Sequence, residues 1–198
     1  MSVVAIVDSG GANIASLVFA LERLGARTCV TRRAEDIRAA SRVILPGVGT
    51  AGAAMARLDA AGLIDCLRAL EQPVLGICLG MQLLYERSEE GDTACLGVLT
   101  GAVRRLRPPA PLTVPHMGWN QLEPLEPDPL LAGIAPLEYF YFVHSFAASV
   151  CALTRAGTHH GVAFAAVVRR ENFWGTQFHP ERSGEAGARL LANFLRLE

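Results

Sequence analysis

Two short segments carry most of the chemistry that the residue types of this chain permit. In Gly76-Ile77-Cys78-Leu79-Gly80 a cysteine stands between two glycines, after the apolar pair Val74-Leu75 and before a helical pattern that opens Met81-Gln82-Leu83-Leu84. A strand that turns sharply into a helix lifts one side chain to the top of a sheet, and Gly-x-Cys-x-Gly is the thiol version of that elbow. Glycines flank it because larger side chains would crowd so tight a turn. The sulfur then meets a helix N-terminus, whose dipole and N–H groups favour negative charge, and the Leu79 N–H points to where an oxyanion would form. A buried cysteine at a strand end has the same local pattern. The second segment is Gly175-Thr176-Gln177-Phe178-His179-Pro180-Glu181. A thiol nucleophile needs a base, and the base needs an orienting group. His179 and Glu181 are two apart, so in an extended segment they share a side. A lone His-x-Glu says little; joined to the elbow it reads as nucleophile, base and orienter.

The elements that must position these groups alternate. Val3–Val7 is a continuous apolar run, as in a buried parallel strand. Residues 13–25 follow with Ile14, Leu17, Val18, Leu21 and Leu24 at helical spacing, closed by Gly25. Strands at 28–30, 43–45 and 74–77 alternate with helices at 34–40, about 51–70 and from Cys78 to about Arg87. That order predicts right-handed βαβ units, hence a doubly wound, mostly parallel α/β sheet of flavodoxin-like type. After Gly91 the texture changes: seven of the chain's 11 prolines fall between Pro108 and Pro129. Short antiparallel strands and loops are expected from about Leu99 to Tyr139, then strands at 139–147, 161–168 and 173–178 and a final helix at 183–197. No repeat or linker interrupts the pattern, so residues 1–198 are expected to form one domain with an antiparallel β excursion in its second half. The loop Pro46-Gly47-Val48-Gly49 closes a buried strand. It is either a plain strand-to-helix connection or a source of N–H groups facing a developing charge, at the strand ends where such sheets bind ligands.

Composition narrows the function classes. Hydrophobic residues make up 51% of the 198, enough for a large core, and the formal net charge is −1. Nucleic-acid binding would need a clustered basic excess. No apolar run approaches the roughly 20 residues of a membrane span, and Met1-Ser2-Val3-Val4 has no basic leader region, so a cytoplasmic chain is expected. Five scattered cysteines without Cys-x-x-Cys spacing fit a reducing compartment. No Cys/His cluster has zinc spacing. The 18 basic residues are all arginine, which removes Schiff-base chemistry and any phosphate-loop lysine.

Taken together, the elbow and Thr176-Gln177-Phe178-His179-Pro180-Glu181 resemble the class I, triad-type glutamine amidotransferases over nearly the whole chain. Val114-Pro115-His116-Met117-Gly118-Trp119-Asn120, Tyr141-Phe142-Val143-His144-Ser145 and the opening Ile6-Val7-Asp8-Ser9-Gly10-Gly11-Ala12-Asn13 are similar to the glutaminase subunits of imidazole glycerol phosphate synthases, from histidine biosynthesis. The resemblance implies hydrolysis of L-glutamine by Cys78, His179 and Glu181, with Gly47, Val48 and Leu79 forming the oxyanion hole. It implies substrate contacts at Gly49, Gln82, His144, Ser145 and Phe146. It further implies a heterodimer with a (β/α)8-barrel cyclase that receives the ammonia, with Asn13, Trp119, Asn120, Tyr141 and Arg182 near the junction or ammonia gate. By composition alone the aromatic residues among these are equally core or surface groups. No metal or organic cofactor is implied.

Other readings stand beside this one. The chain would also suit a triad glutaminase serving the pyridoxal phosphate or GMP pathways, against which His116-Met117-Gly118-Trp119-Asn120 speaks. A non-catalytic regulatory partner on the same fold is opposed by the intact Cys78, His179 and Glu181. Departures from the family pattern are Ser9 for tyrosine, Ala12 for the second glycine, Phe146 for tyrosine and Arg182 for lysine. None touches the triad.

Overall fold

A computed structural model describes residues 3–10 and 14–197. In chain order the elements are β1 (Val3–Val7), α1 (Ile14–Arg23), β2 (Arg27–Thr31), α2 (Ala34–Ala39), β3 (Arg42–Gly47), α3 (Ala51–Ala60), α4 (Ile64–Arg68), β4 (Val74–Cys78) and α5 (Leu79–Leu83). There follow β5 (Tyr85–Ser88), β6 (Thr93–Ala94), β7 (Leu99–Arg105), β8 (His116–Gln121), β9 (Glu123–Pro124), β10 (Tyr139–His144), β11 (Phe146–Ala148), β12 (Thr154–His159), β13 (Ala163–Arg170), β14 (Phe173–Thr176) and α6 (Gly184–Phe194).

The fold is mixed α/β around an eight-stranded sheet in the order β2-β1-β3-β4-β14-β13-β12-β9. The first five of these strands pair in parallel, and β13, β12 and β9 extend the sheet antiparallel. The parallel part follows the 2-1-3-4-5 order of flavodoxin-like sheets, with β14 as its fifth strand. Period-two alternation sorts side chains between two cores. Val4, Ile6, Ile44, Leu75 and Ile77 face α1 and α6, packing with Leu17, Leu21, Leu190 and Phe194. Ala5, Val7, Val43, Leu45 and Val74 face the other side, with Ile37, Leu58 and Leu67 from α2, α3 and α4. Each such large aliphatic side chain contributes roughly 1.5–3 kcal/mol by leaving water.

Two smaller sheets lie outside this frame: β11-β7-β5-β6 and a two-stranded β8–β10 ribbon. The ribbon is one-sided. Phe140, Phe142, His116 and His144 are buried, while Met117, Trp119 and Tyr139 are 64%, 55% and 50% exposed.

Three details differ from the sequence reading. The helix after Cys78 ends at Leu83 rather than near Arg87, because the next segment's amides capture its backbone. Leu99 N–H donates to Leu84 O, Gly97 N–H to Tyr85 O and Cys95 N–H to Glu86 O. Tyr85 to Ser88 then run as β5 beside β7. The expected strand over 139–147 breaks at Ser145 into β10 and β11, which join different sheets. β12 lies in a stretch to which the sequence reading assigned no element, and it pairs through two register shifts.

Candidate active site

Cys78 ends β4 and α5 begins at the next residue. Its backbone has φ 54° and ψ −110°, a conformation costing about 1–3 kcal/mol for a non-glycine residue. Packing around the elbow enforces it. A Cβ on Gly80 would lie 1.7 Å from Leu45 O, and one on Gly76 would lie 2.7 Å from Gly80 O. The start of α5 is therefore clamped between β3 and β4. Gly47 pairs with Cys78 across the β3–β4 ladder, and a Cβ on it would meet Gly80 N at 2.8 Å. The loop that opens at Gly47 thus runs past Cys78. Ser9 holds the strand before that loop, donating its hydroxyl to Pro46 O at 2.8 Å.

His179 follows β14, next to β4 in the sheet. Its Nδ1 lies 2.9 Å from Glu181 Oε1, with both side chains almost wholly buried. Glu181 reaches it from a 3-10 turn over Pro180–Arg182, so the shared side comes from a turn rather than the extended segment expected. Burial alone would lower the His179 pKa. Hydrogen bonds and charge interaction with Cys78 and Glu181 outweigh it and raise the value to about 10. The imidazole thus carries a proton at neutral pH, facing the sulfur.

The elbow, the loop and the ribbon enclose a cavity of about 450 Å³. Gly47, Val48, Gly49, Cys78, Leu79, Gln82, His144, Ser145, His179 and Arg182 all line it. Phe146 does not line it; its carbonyl accepts the Gln82 Nε2–H at 2.8 Å. Gln82 donates a second bond to Gln177 Oε1 at 3.0 Å, so the amide donor expected for a ligand is engaged inside the protein. The His144 ring faces inward, Nδ1 to Phe146 O at 2.9 Å and Nε2 to His116 Nδ1 at 3.1 Å. Burial lowers the pKa of His144 to about 3 and that of His116 to about 4, with His160 adding to the effect on both.

On the ribbon's outer face Trp119 packs edge-on against Tyr141, and the Arg182 guanidinium lies over the Tyr141 ring at 5.0 Å. These three residues form one continuous patch. Asn120 does not join it: its Nδ2 faces His116 Nε2 at 3.2 Å and His159 O at 2.8 Å. Asn13, Ala12 and Gly11 lie outside the described residues.

One wall residue and one buried residue behind Cys78 escaped the sequence reading. Glu90 lines the cavity and its Oε2 accepts the Ala51 N–H at 2.7 Å, capping α3. No local pattern marks it, since it arrives from a separate turn. Gln177 donates from Nε2 to Cys78 Sγ at 3.7 Å. Its signal was present: two residues before His179, it shares the side of the chain that His179 presents. Among the described residues no group of three or more His, Cys, Asp or Glu is arranged to hold a metal ion, and no helix is long and apolar enough to cross a membrane.

A family model described as glutamine amidotransferase class-I matches residues 5–197. Imidazole glycerol phosphate synthase subunit HisH of Xanthomonas euvesicatoria pv. vesicatoria (strain 85-10) is 54% identical over 197 residues, covering 100% of this chain and 98% of the relative. The subunit of the same name from Xylella fastidiosa (strain 9a5c) is 52% identical over 198 residues, covering 100% and 99%. Among solved structures, a chain titled as a glutamine amidotransferase aligns with TM-score 0.74 at 22% identity, covering 97% of this chain and 96% of that one. PurLQS from Thermotoga maritima aligns with TM-score 0.72 at 20% identity, covering 98% and 97%. At these identities the two structures are alike in fold.

Proposed function

Since this chain belongs to the class-I glutamine amidotransferase family, we propose that it hydrolyses L-glutamine to glutamate and ammonia as the glutaminase subunit of an imidazole glycerol phosphate synthase. The observation that carries the reading is the convergence of Cys78, on its strained elbow, with His179 bonded to Glu181 at one cavity. Cys78 Sγ attacks the side-chain amide carbon of glutamine. The oxygen becomes an oxyanion facing the Leu79 N–H and the Gly47-Val48 peptide, where N–H donors act on charge as it develops. His179, protonated by its setting, gives its proton to the departing nitrogen, and the C–N bond breaks to leave a thioester and ammonia. Water, deprotonated by His179, then cleaves the thioester to glutamate and returns the thiol. Glu181 holds the imidazole in orientation throughout. Glu90 and Arg182 on the cavity wall offer opposite charges to the zwitterionic end of an amino acid.

Ammonia passes to a cyclase subunit, a (β/α)8 barrel, seated on the exposed apolar patch of Met117, Trp119 and Tyr139 and the adjoining Tyr141 and Arg182. The pair works in the cytoplasm as a heterodimer within one chain of histidine-biosynthetic steps. The test is Cys78→Ala in the purified complex. Glutamine-dependent synthesis should fall by a factor on the order of 10⁶, as loss of a covalent nucleophile can cost, while synthesis from added ammonia persists. Retained glutamine turnover would overturn the mechanism.

A further inference from the structure

A continuous run of hydrogen bonds leads from the catalytic sulfur to the docking ribbon, and its direction can be deduced atom by atom. Phe146 O only accepts, so the His144 Nδ1 at 2.9 Å carries a hydrogen. A neutral His144 then accepts at Nε2, and the His116 Nδ1 at 3.1 Å must donate. That leaves His116 Nε2 as an acceptor, and the Asn120 amide nitrogen at 3.2 Å donates to it. Asn120 is held in this orientation because its Oδ1 takes the Gln121 N–H at 2.8 Å. From Phe146 O toward the sulfur the logic repeats. The two hydrogens of Gln82 Nε2 go to Phe146 O and Gln177 Oε1, at 2.8 and 3.0 Å. The Gln177 carbonyl is thereby occupied, and its Nε2–H points at Cys78 Sγ, 3.7 Å away.

We propose that Gln177 is a further catalytic residue, donating a hydrogen bond to the Cys78 sulfur, that Gln82 is a positioning residue that fixes the direction of that donor, and that His144 and His116, braced by Asn120, are positioning residues that hold in place the Phe146 carbonyl on which Gln82 is anchored. The inference rests on Cys78 being the nucleophile. Both amides and both rings have one hydrogen-bonding arrangement that satisfies every partner, so the Gln177 N–H cannot rotate away without leaving buried groups unpaired. Burial of His116 and His144 keeps both rings neutral, as the chain requires. A proton added to His144 would set two N–H groups against each other at His116. The network also ties the nucleophile to β8, the strand whose outer face carries Trp119.

The experiment measures two things on the full-length protein: glutamine turnover with the cyclase partner, and alkylation of Cys78 by iodoacetamide across pH, followed by mass spectrometry of the Cys78 peptide. Wild type must be active and alkylated at Cys78; if not, the glutaminase reading fails before the network is at issue. Given that, Gln177→Leu should lower kcat about 10-fold with KM for glutamine changed less than about twofold, since a hydrogen bond to a charged group is lost. Its alkylation profile should move alkaline by about one pH unit. Should Gln177→Leu not fold, the isosteric Gln177→Glu replaces it, with a larger shift in the same direction. At the far end, His116→Leu should lower kcat in the same way. His116→Gln should restore it, because an amide also donates to His144 and accepts from Asn120. Wild-type kcat and an unmoved alkylation profile in a folded Gln177 variant would overturn the proposal. So would equal behaviour of His116→Leu and His116→Gln.

Discussion

Gly80→Ala places one methyl group where the elbow has no room. The new Cβ would sit 1.7 Å from Leu45 O, short by about 1.3 Å of the 3.0 Å below which real Cβ contacts do not occur. The obstacle is backbone carbonyl in the middle of the sheet, so no rotamer relieves it; the first turn of α5 must move. That turn carries the Leu79 N–H and follows directly on Cys78. A misplacement of about 1 Å in a reacting geometry costs about 10² in rate. Overpacking of this kind destabilises by about 1–3 kcal/mol. Expected, then, is a folded protein with a lowered melting temperature and kcat for glutamine hydrolysis down by about 10² or more, while ammonia-dependent synthesis by the complex is kept. Gly52→Ala is the control. It lies on the exposed side of α3, where the added Cβ meets only Thr93 Oγ1 at 3.4 Å. Alanine in a helix should stabilise by about 0.5–1 kcal/mol there. Near-wild-type glutaminase kcat in Gly80→Ala would refute the claim that backbone clearance at the elbow sets the geometry of catalysis.

Trp119→Ala should weaken binding of the cyclase by about 2 kcal/mol or more, as for a buried interface aromatic; titration calorimetry with unchanged affinity and unchanged coupling of ammonia transfer would make the residue purely structural. Val48→Pro removes an N–H from the loop beside Cys78, and should hold glutamine turnover by the complex about 10²–10³ below wild type; wild-type turnover in a folded variant would remove that N–H from the oxyanion hole. Stability should fall on acidification from about pH 6.5 down to about 4 for His116 and about 3 for His144, because the folded rings, with pKa values lowered to about 4 and about 3, refuse protons that the unfolded chain takes up. The loss is roughly 2 kcal/mol per ring at pH 5. His179 acts in the opposite sense. With its folded value raised to about 10, its contribution is complete below about pH 6.5 and disappears as pH rises through 10. Denaturant unfolding at several pH values checks this, and an acid slope no shallower in His116→Gln than in wild type would contradict it.

Much of the site was written in local pattern. Gly76-Ile77-Cys78-Leu79-Gly80 specifies an elbow because two glycines and an apolar strand admit little else, and the parallel core follows from alternating apolar runs and helical stripes. The pairing of His179 with Glu181 was legible because an imidazole two residues from a carboxylate is a short-range feature. Only the tertiary structure decided what long-range packing controls. Glu90 reaches the cavity because the 3-10 turn that carries it, after β5, packs against the start of α3, and no neighbour in sequence reports that. The helix after Cys78 stops at Leu83 because amides from residues 95–99 take its backbone carbonyls, a competition that helical propensity does not contain. Gln82 looked like a donor to a ligand, one turn beyond the nucleophile. In the fold its amide is committed to Phe146 O and Gln177. Residue type fixes what a group is able to donate or accept; which partner receives the bond depends on segments brought together from 64 and 95 positions away.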